Sequence, residues 1–264
     1  MPLTGSFSSL IIRGLLAGLI AGLLAGGVAF FLGEPHVDAA IAIEEAHSAE
    51  AAHEHESEAP THSHDEEEAL VSRTGQQAGL FLATALAGLA LGAIYATVLN
   101  FARSRIALSG VALALTFAGL AWLAIDAVPF FKYPPNPPAV GDPETINQRT
   151  LLWLAAVVLG FGAIVAAGWV LRALRDSLVT VRIAATTATF VVIVGLGYVL
   201  MPGIDEVGAD FPASLLWEFR ISSLAVQTTL WLVLGLAFAF LTERAARSAD
   251  TAHTSAGSTA GTVG

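Results

Sequence analysis

The chain has no cysteine, a single lysine (Lys132) and little charge of either sign, with Asp, Glu, Lys and Arg making up 13% of its 264 residues. Without cysteine there is no disulfide framework and no thiolate metal site, so any metal must sit on imidazole nitrogen and on oxygen. A soluble domain carries roughly a quarter charged residues. This chain has about half that, which excludes an ordinary water-soluble globule. The nucleotide loop G-x-x-x-x-G-K-[ST] is missing, as are H-E-x-x-H and G-x-S-x-G. The apolar stretches hold neither paired carboxylates nor a Ser/His pair. The expectation is a protein that is not an enzyme and uses no nucleotide. A net charge of −10 also argues against nucleic acid or an anionic lipid surface as a partner.

What is present is oil. Hydrophobic residues make up 55% of the chain, and mean hydropathy is +0.70. Six stretches reach the roughly 20 residues a helix needs to cross a hydrocarbon core, near 10–33, 77–100, 106–127, 150–171, 181–201 and 219–241. The expected fold class is therefore an all-α integral membrane protein of about six transmembrane helices, with an acidic, His-rich outer loop after the first. The expected organisation is an N-terminus and first span (1–33), the acidic loop (34–76), a five-helix membrane domain (77–241) with a Pro-rich outer loop (128–149), and a disordered tail (242–264). The first segment is read as a retained anchor, because its apolar run is long and no small-x-small cleavage site follows FFLGEPH.

Basic residues set the orientation. With a cytoplasmic N-terminus, Arg13, Arg103, Arg105, Arg172, Arg175, Arg182, Arg244 and Arg247 fall inside. Arg73, Lys132, Arg149 and Arg220 fall outside, although the outer loops are longer. Both termini are then cytoplasmic in a cell (inner) membrane. Of the acids, all but Asp176, Glu243 and Asp250 lie in or beside the outer loops, which gives that face a negative potential that collects cations. Gly14, Gly18, Gly22 and Gly26 recur every fourth residue along the first span and line one helix face. Small residues there let a second backbone approach, and a homo-oligomer through this face is one expectation.

Five of the seven histidines, His47, His53, His55, His62 and His64, lie in HSAEAAHEHESEAPTHSHDEEE among eight acids. Imidazole with carboxylate suits cobalt, nickel, zinc or Cu(II) alike. The His-x-His pairs bring two rings together only on an extended backbone, because i and i+2 diverge on a helix. Pro60 between the pairs favours a flexible loop, which would bind metal loosely and suit capture and release. Other readings are a sensor of pH near 6.5 and an inert acidic linker.

Ionisable groups near the membrane are functional candidates by default. Glu34, His36 and Asp38 stand together after the first span, and Asp126 closes the third. Asp205, Glu206 and Asp210 follow the fifth, where a solvated loop is the plainer reading. Threonines within the spans are expected to bond their own helix backbone, and Arg149 and Arg220 to act as ion-pair partners or interface anchors. KYPPNPPAVGDP, stiffened by its prolines, reads as a rigid lid over the helix ends.

Three stretches carry a family resemblance: EPHVDAAIAIEEA (34–46), VPFFKYPPNPPAVGDPETINQRT (128–150) and DEVGADFPASLLWEFRISSLAVQ (205–227). With the spacing of the spans, they resemble the CbtA family, whose members are described as probable cobalt transporter subunits. That family is usually described with about five spans, against six here. The resemblance implies import of cobalt, with a small single-span CbtB-like companion that itself carries histidines. It brings forward Glu34, His36, Asp38, Asp126, Asp142, Glu144, Asp205 and Glu206.

The leading expectation is a membrane subunit of a divalent transition-metal uptake transporter, with cobalt as the substrate before nickel or zinc. The candidate metal residues are His36, His47, His53, His55, His62, His64, Glu34, Asp38, Asp126, Asp205 and Glu206. The alternative is a non-conducting, membrane-anchored metal receptor or accessory scaffold.

Overall fold

A computed structural model describes residues 3–55, 72–141 and 143–260. The described residues form helices and no strand. Six helical segments are long and apolar enough to cross a membrane: Phe7–Ala49, Arg73–Ala102, Gly110–Lys132, Ile146–Ala173, Val179–Leu200 and Ala213–Ser248. Each overlaps one of the expected spans; four contain it whole, while 106–127 begins four residues before its helix and 181–201 ends one residue after its own. Lipid offers no partner for a free amide or carbonyl, so helices that close their own hydrogen bonds are the natural way across. The elements are α1 (Phe7–Val28), α2 (Glu34–His55), α3 (Arg73–Ala102), α4 (Gly110–Trp122), α5 (Val128–Lys132), α6 (Ile146–Ala173), α7 (Val179–Leu200) and α8 (Ala213–Ala260).

Two π-helical turns interrupt the spans. Ala29–Gly33 joins α1 to α2, and Leu123–Ala127 joins α4 to α5. Each ends two residues before a proline, Pro35 and Pro129. Proline has no N–H and crowds the carbonyl four residues back, and a widened turn absorbs that conflict while the chain stays helical. The prolines therefore bend the register without ending the helix. Residues 34–55, expected as a flexible loop, are helical instead, because this Ala- and Glu-rich stretch has high helix propensity. Residues 242–260, expected as a disordered tail, likewise continue α8, supported locally by the Glu243–Arg247 ion pair one turn apart (2.5 Å). The remaining tail residues 261–264 lie outside the described residues.

The chain divides into two compact units built from interleaved segments. The first holds residues 1–28, 76–119 and 226–264. In it α1 packs on α3 through glycines on both sides. Gly14, Gly18, Gly22 and Gly26 are all buried, and Cβ atoms added at Gly14, Gly18 and Gly22 would collide with the backbone carbonyls of Gly92, Gly88 and Thr84. The glycine face expected to receive a second copy of the chain is thus filled by α3. Close backbone approach, where lipid supplies no hydrophobic drive, is what small residues allow, and the nearest partner was intramolecular. Tyr95 sits edge-on to Phe238 (ring centroids 5.4 Å apart), which ties α3 to α8. Its hydroxyl donates to the Ala114 carbonyl of α4 at 2.5 Å.

The second unit holds residues 29–75 and 120–225. Here α6 packs along α7, with Gly197 pressed on Leu159, and the Tyr198 hydroxyl donates to the Val128 carbonyl. A Cβ at Gly160 of α6 would lie 2.8 Å from the Ala124 carbonyl oxygen and 2.9 Å from its Cα, inside the second π turn. Gly162, two residues on, meets nothing within 4 Å. Gly160→Val is therefore expected to destabilise the protein by about 1–3 kcal/mol through overpacking, and Gly162→Val to be near neutral. Thermal unfolding of both variants in detergent checks this; equal midpoints would mean that α6 does not rest on the π turn.

A histidine and carboxylate cap

In the second unit, four segments converge: the first half of α2, the Pro-rich loop 133–145, the link 201–212 and the first turns of α8. Their apolar contact is small but defined. Ala40, Val140, Phe211 and Leu216 are buried together, with Ile43, Val207 and Leu215 packed around them.

The helical form of α2 decides what its polar groups can reach. At about 100° per residue, Glu34 and Asp38 share one face and His36 points away from them. Arg73, at the start of α3, takes the first pair. Its Nη2 lies 2.6 Å from Glu34 Oε2 and 2.7 Å from Asp38 Oδ1, and its Nε donates to the same Asp38 oxygen at 2.7 Å. Glu34, His36 and Asp38 therefore do not form one cluster, and the two carboxylates share a guanidinium.

His36 belongs to another face. His36, Ala40, Ile43 and His47 follow the i, i+4, i+7, i+11 spacing of one helical stripe. That stripe lies along residues 207–218, with the apolar contact in the middle and an imidazole–carboxylate pair at each end. His36 Nε2 is 3.4 Å from Glu218 Oε2, and His47 Nε2 is 3.4 Å from Asp210 Oδ2. The first pair is half-buried on the imidazole side; the second is exposed.

The tautomer of His36 follows from its other nitrogen. Nδ1 lies 2.7 Å from the Leu32 carbonyl oxygen in the first π turn. A carbonyl only accepts, so Nδ1 carries a hydrogen. A neutral ring then turns the Nε2 lone pair toward a carboxylate oxygen, which repels it. The contact is favourable only with a cation between them, either a proton on Nε2 or a metal ion. Two ligands about 2.1 Å from a tetrahedral ion are about 3.4 Å apart, which matches both pairs. A backbone carbonyl fixing the outer nitrogen of a ligating ring is the usual way such a ring is oriented.

The Pro-rich loop is pinned at several points. The Tyr133 hydroxyl donates to the Pro202 carbonyl at 2.8 Å, and burial pushes this phenol above its ordinary value, so it remains a donor at neutral pH. Arg220 donates to Asn136 Oδ1 at 2.9 Å and to the Pro135 carbonyl. Glu206 is the most buried carboxylate of these ion pairs, its side chain 7% exposed. Arg149 Nη1 pairs with its Oε2 at 3.1 Å, and the Thr145 hydroxyl donates to its Oε1. Gly141, at φ +133°, makes the turn that brings Arg149 in, and a Cβ there would strike the guanidinium. Arg149 is thus an ion-pair partner, as expected, and Glu206 is not a solvated loop acid. Asp205 beside it is exposed.

Asp126 lies inside the second π turn, partly buried and with its own interactions. At 1.5 Å per residue it is roughly 9 Å of helix from Lys132, the end of its span. Threonines within the spans behave as expected: Thr84, Thr186 and Thr189 donate to the carbonyls of Leu80, Arg182 and Ala185. His53 and His55 fall in the last turn of α2. His62, His64 and Asp142 lie outside the described residues. Among the described residues, no group of three or more His, Asp or Glu is placed to hold a metal together. Sequence reasoning missed Glu218 and Asp210 as the partners of His36 and His47, and Arg73 as the clamp on Glu34 and Asp38. The stripe from His36 to His47 was the available signal, readable once α2 is taken as helix.

Six apolar spans with an imidazole–carboxylate cap define a multi-pass helical membrane protein. The chain belongs to the CbtA family, described as the probable cobalt transporter subunit CbtA, whose model matches residues 7–243. It is thus a subunit of a metal transporter family. No curated protein and no solved structure matches it.

Proposed function

We propose that this chain is the permease subunit of a cobalt uptake system and that the cap is where the ion is first held. The observation that carries the reading is His36: its Nδ1 is fixed by the Leu32 carbonyl and its Nε2 faces Glu218 at 3.4 Å, a gap that calls for a cation. His47 with Asp210 repeats the arrangement three turns along α2. Each pair offers two protein ligands, with water completing the shell. That suits weak capture and onward release, and nickel and zinc share the same ligand preference.

In this reading the cap faces outward, both termini are cytoplasmic in the inner membrane, and the tract from His47 to His64 gathers ions for the two pairs. Asp126 receives the ion within the membrane, where Pro129 leaves the Ile125 carbonyl without its usual amide partner. Oxygen ligands from an interrupted helix are the usual means of holding a cation at depth. Glu34 and Asp38 join the path only when Arg73 swings away, and Glu206 with Asp205 holds the lid. Drawing a doubly charged ion inward down the membrane potential is worth about 4.6 kcal/mol per 100 mV, so no nucleotide is required. A small single-span CbtB-like companion completes the path.

Radiolabelled cobalt accumulation in cells lacking other importers tests this, with the chain expressed alone and with its companion. Replacing His53, His55, His62 and His64 together is expected to raise the apparent KM and leave maximal uptake largely intact. Asp126→Ala is expected to abolish uptake. Unchanged maximal uptake in Asp126→Ala would remove that residue from the path. No uptake by a chain verified in the membrane, with cobalt still retained at its surface, would make it a receptor instead.

A further inference from the structure

Arg73, Arg149, Arg175 and Arg247 each lie against a carboxylate. Arg13 and Arg103, both in the first compact unit, lie against carbonyls instead. Arg13 is on the second turn of α1, and its side chain runs back toward the start of the helix. There its Nη1 donates to the Thr4 carbonyl at 3.2 Å. That is the course of an arginine whose stem lies along apolar surface and whose head seeks water. Arg103 follows the end of α3, and its Nη1 donates to the Gly5 carbonyl at 2.8 Å and lies 3.4 Å from that of Leu3. A Cβ at Gly5 would lie 3.3 Å from Arg13 Nη1. One residue thus stands against two guanidinium groups, in a conformation (φ +117°) that favours glycine.

The parts that bring these charges together are held in place. Leu3 is 6% exposed and rests on Gly110 at the start of α4. Gly14, next to Arg13, meshes with the backbone of Gly92 on α3. Thr4 and Gly5 are exposed and the two arginines only partly buried, so the place where the guanidiniums meet is open.

Carbonyls satisfy N–H groups but carry no net charge. Each guanidinium has five hydrogens to donate, and the bonds above use only Nη1. Two like charges are therefore fixed against one tripeptide, with no carboxylate paired to either among the described residues. Residues 1–33 and 69–125 contain no Asp or Glu at all. The net charge of −10 argues against an anionic lipid surface for the chain as a whole, but the first unit has five arginines and two acids. Its sign is the opposite of the total.

Position narrows the counter-ion. Arg13 and Arg103 flank the apolar runs of the first two spans, at the border of the hydrocarbon core where lipid phosphates lie. Phe7, Phe101 and Leu108, close to them in sequence, are exposed. A molecule with a phosphate at one end and hydrocarbon at the other answers both the unpaired charges and the bare apolar surface. Basic pockets between helices at this depth suit such headgroups.

We propose that Arg13 and Arg103 form a site for the phosphate of an anionic phospholipid, which bridges the two guanidiniums. Nothing in the cobalt reading requires the site, and it stands or falls separately.

The test uses the purified full-length chain in detergent. Its unfolding midpoint is followed against dioctanoyl phosphatidylglycerol, inorganic phosphate, and dioctanoylglycerol, which has the tails without the phosphate. A saturable rise with phosphatidylglycerol is expected, and none with the other two at the same concentrations. The apparent Kd should weaken about tenfold in Arg13→Gln and in Arg103→Gln, as for loss of a hydrogen bond to a charged group. It should hold in Arg172→Gln, which removes an exposed arginine from the end of α6. No saturable rise with phosphatidylglycerol overturns the proposal, as does an equal rise with either other probe. An unchanged Kd in both Arg13→Gln and Arg103→Gln is equally fatal. So is the same weakening in Arg172→Gln, which would make the effect one of charge alone. Should the Gln variants fail to fold, Arg13→Lys and Arg103→Lys decide, since each keeps the charge and a donor for the strap. An ammonium cannot give the two parallel bonds of a guanidinium, so the Kd should still weaken, and an unchanged value in both overturns the site.

Discussion

Cobalt accumulation by the Glu218→Gln chain at limiting metal is expected to fall by about tenfold or more, a loss in the range seen when even an outer-shell partner of a metal site is removed. The substitution keeps size and polarity but withdraws the charge facing His36 Nε2. The Glu218 side chain is 59% exposed, so little packing is lost and the folded protein should reach the membrane in normal amount. The apparent KM carries the effect, because the pair captures the ion and does not move it. Glu218→Asp should recover part of the loss. His36→Ala should resemble Glu218→Gln, and the double variant should be no worse than either, since both remove the same bound ion. Glu45→Gln, on an exposed part of α2, serves as the control. If Glu218→Gln takes up cobalt with the wild-type KM, the cap is structural and the entry site lies elsewhere.

Gly18→Val is expected to remove the protein from the membrane fraction altogether. A Cβ at Gly18 meets the Gly88 carbonyl, and the reciprocal Cβ at Gly88 meets Gly18. Two helices meshed backbone to backbone have no side chain between them that could move aside. Overpacking a tight interior commonly costs about 1–3 kcal/mol and occasionally more, and forcing α1 off α3 spreads the strain over Gly14, Gly18 and Gly22 together. Gly27→Val on the same helix is the matched control, because nothing lies within 4 Å of a Cβ there. Fluorescence-detected size exclusion of the two variants in detergent separates the cases. A monodisperse peak for Gly18→Val would mean that α1 does not use its glycines on α3.

Much of the fold was legible because lipid leaves a chain few choices. An apolar run long enough to cross must be helical, and all six expected spans are. The glycine period was legible as a packing face, but a row of small residues does not say whose backbone it awaits. Here it was α3 of the same chain. The cap was legible as residue types and not as pairs. The expected spans stop at residues 33 and 127, yet a π turn at each of these places lets the helix run on, so α2 and its stripe were hidden inside an expected loop. Arg73 meets Glu34 and Asp38 across more than thirty residues of intervening sequence, a separation no local pattern records. Glu206 stood beside Asp205 in an acidic loop, and only the fold buries one and exposes the other.

The first π turn also sets a phase. A π turn accommodates one residue more than an α turn would, and one residue is about 100° of rotation. Deleting Ala29 would close the turn as ordinary α-helix and leave the faces beyond it nearly where they are, but winding all five residues as α-helix would turn everything beyond by about that amount about its own axis. His36 and His47 would then leave the side that faces Glu218 and Asp210, and Glu34 and Asp38 would leave Arg73. The widened turn, with no side chain in the cap, therefore acts as the key that indexes Glu34, His36, Asp38 and His47 to their partners.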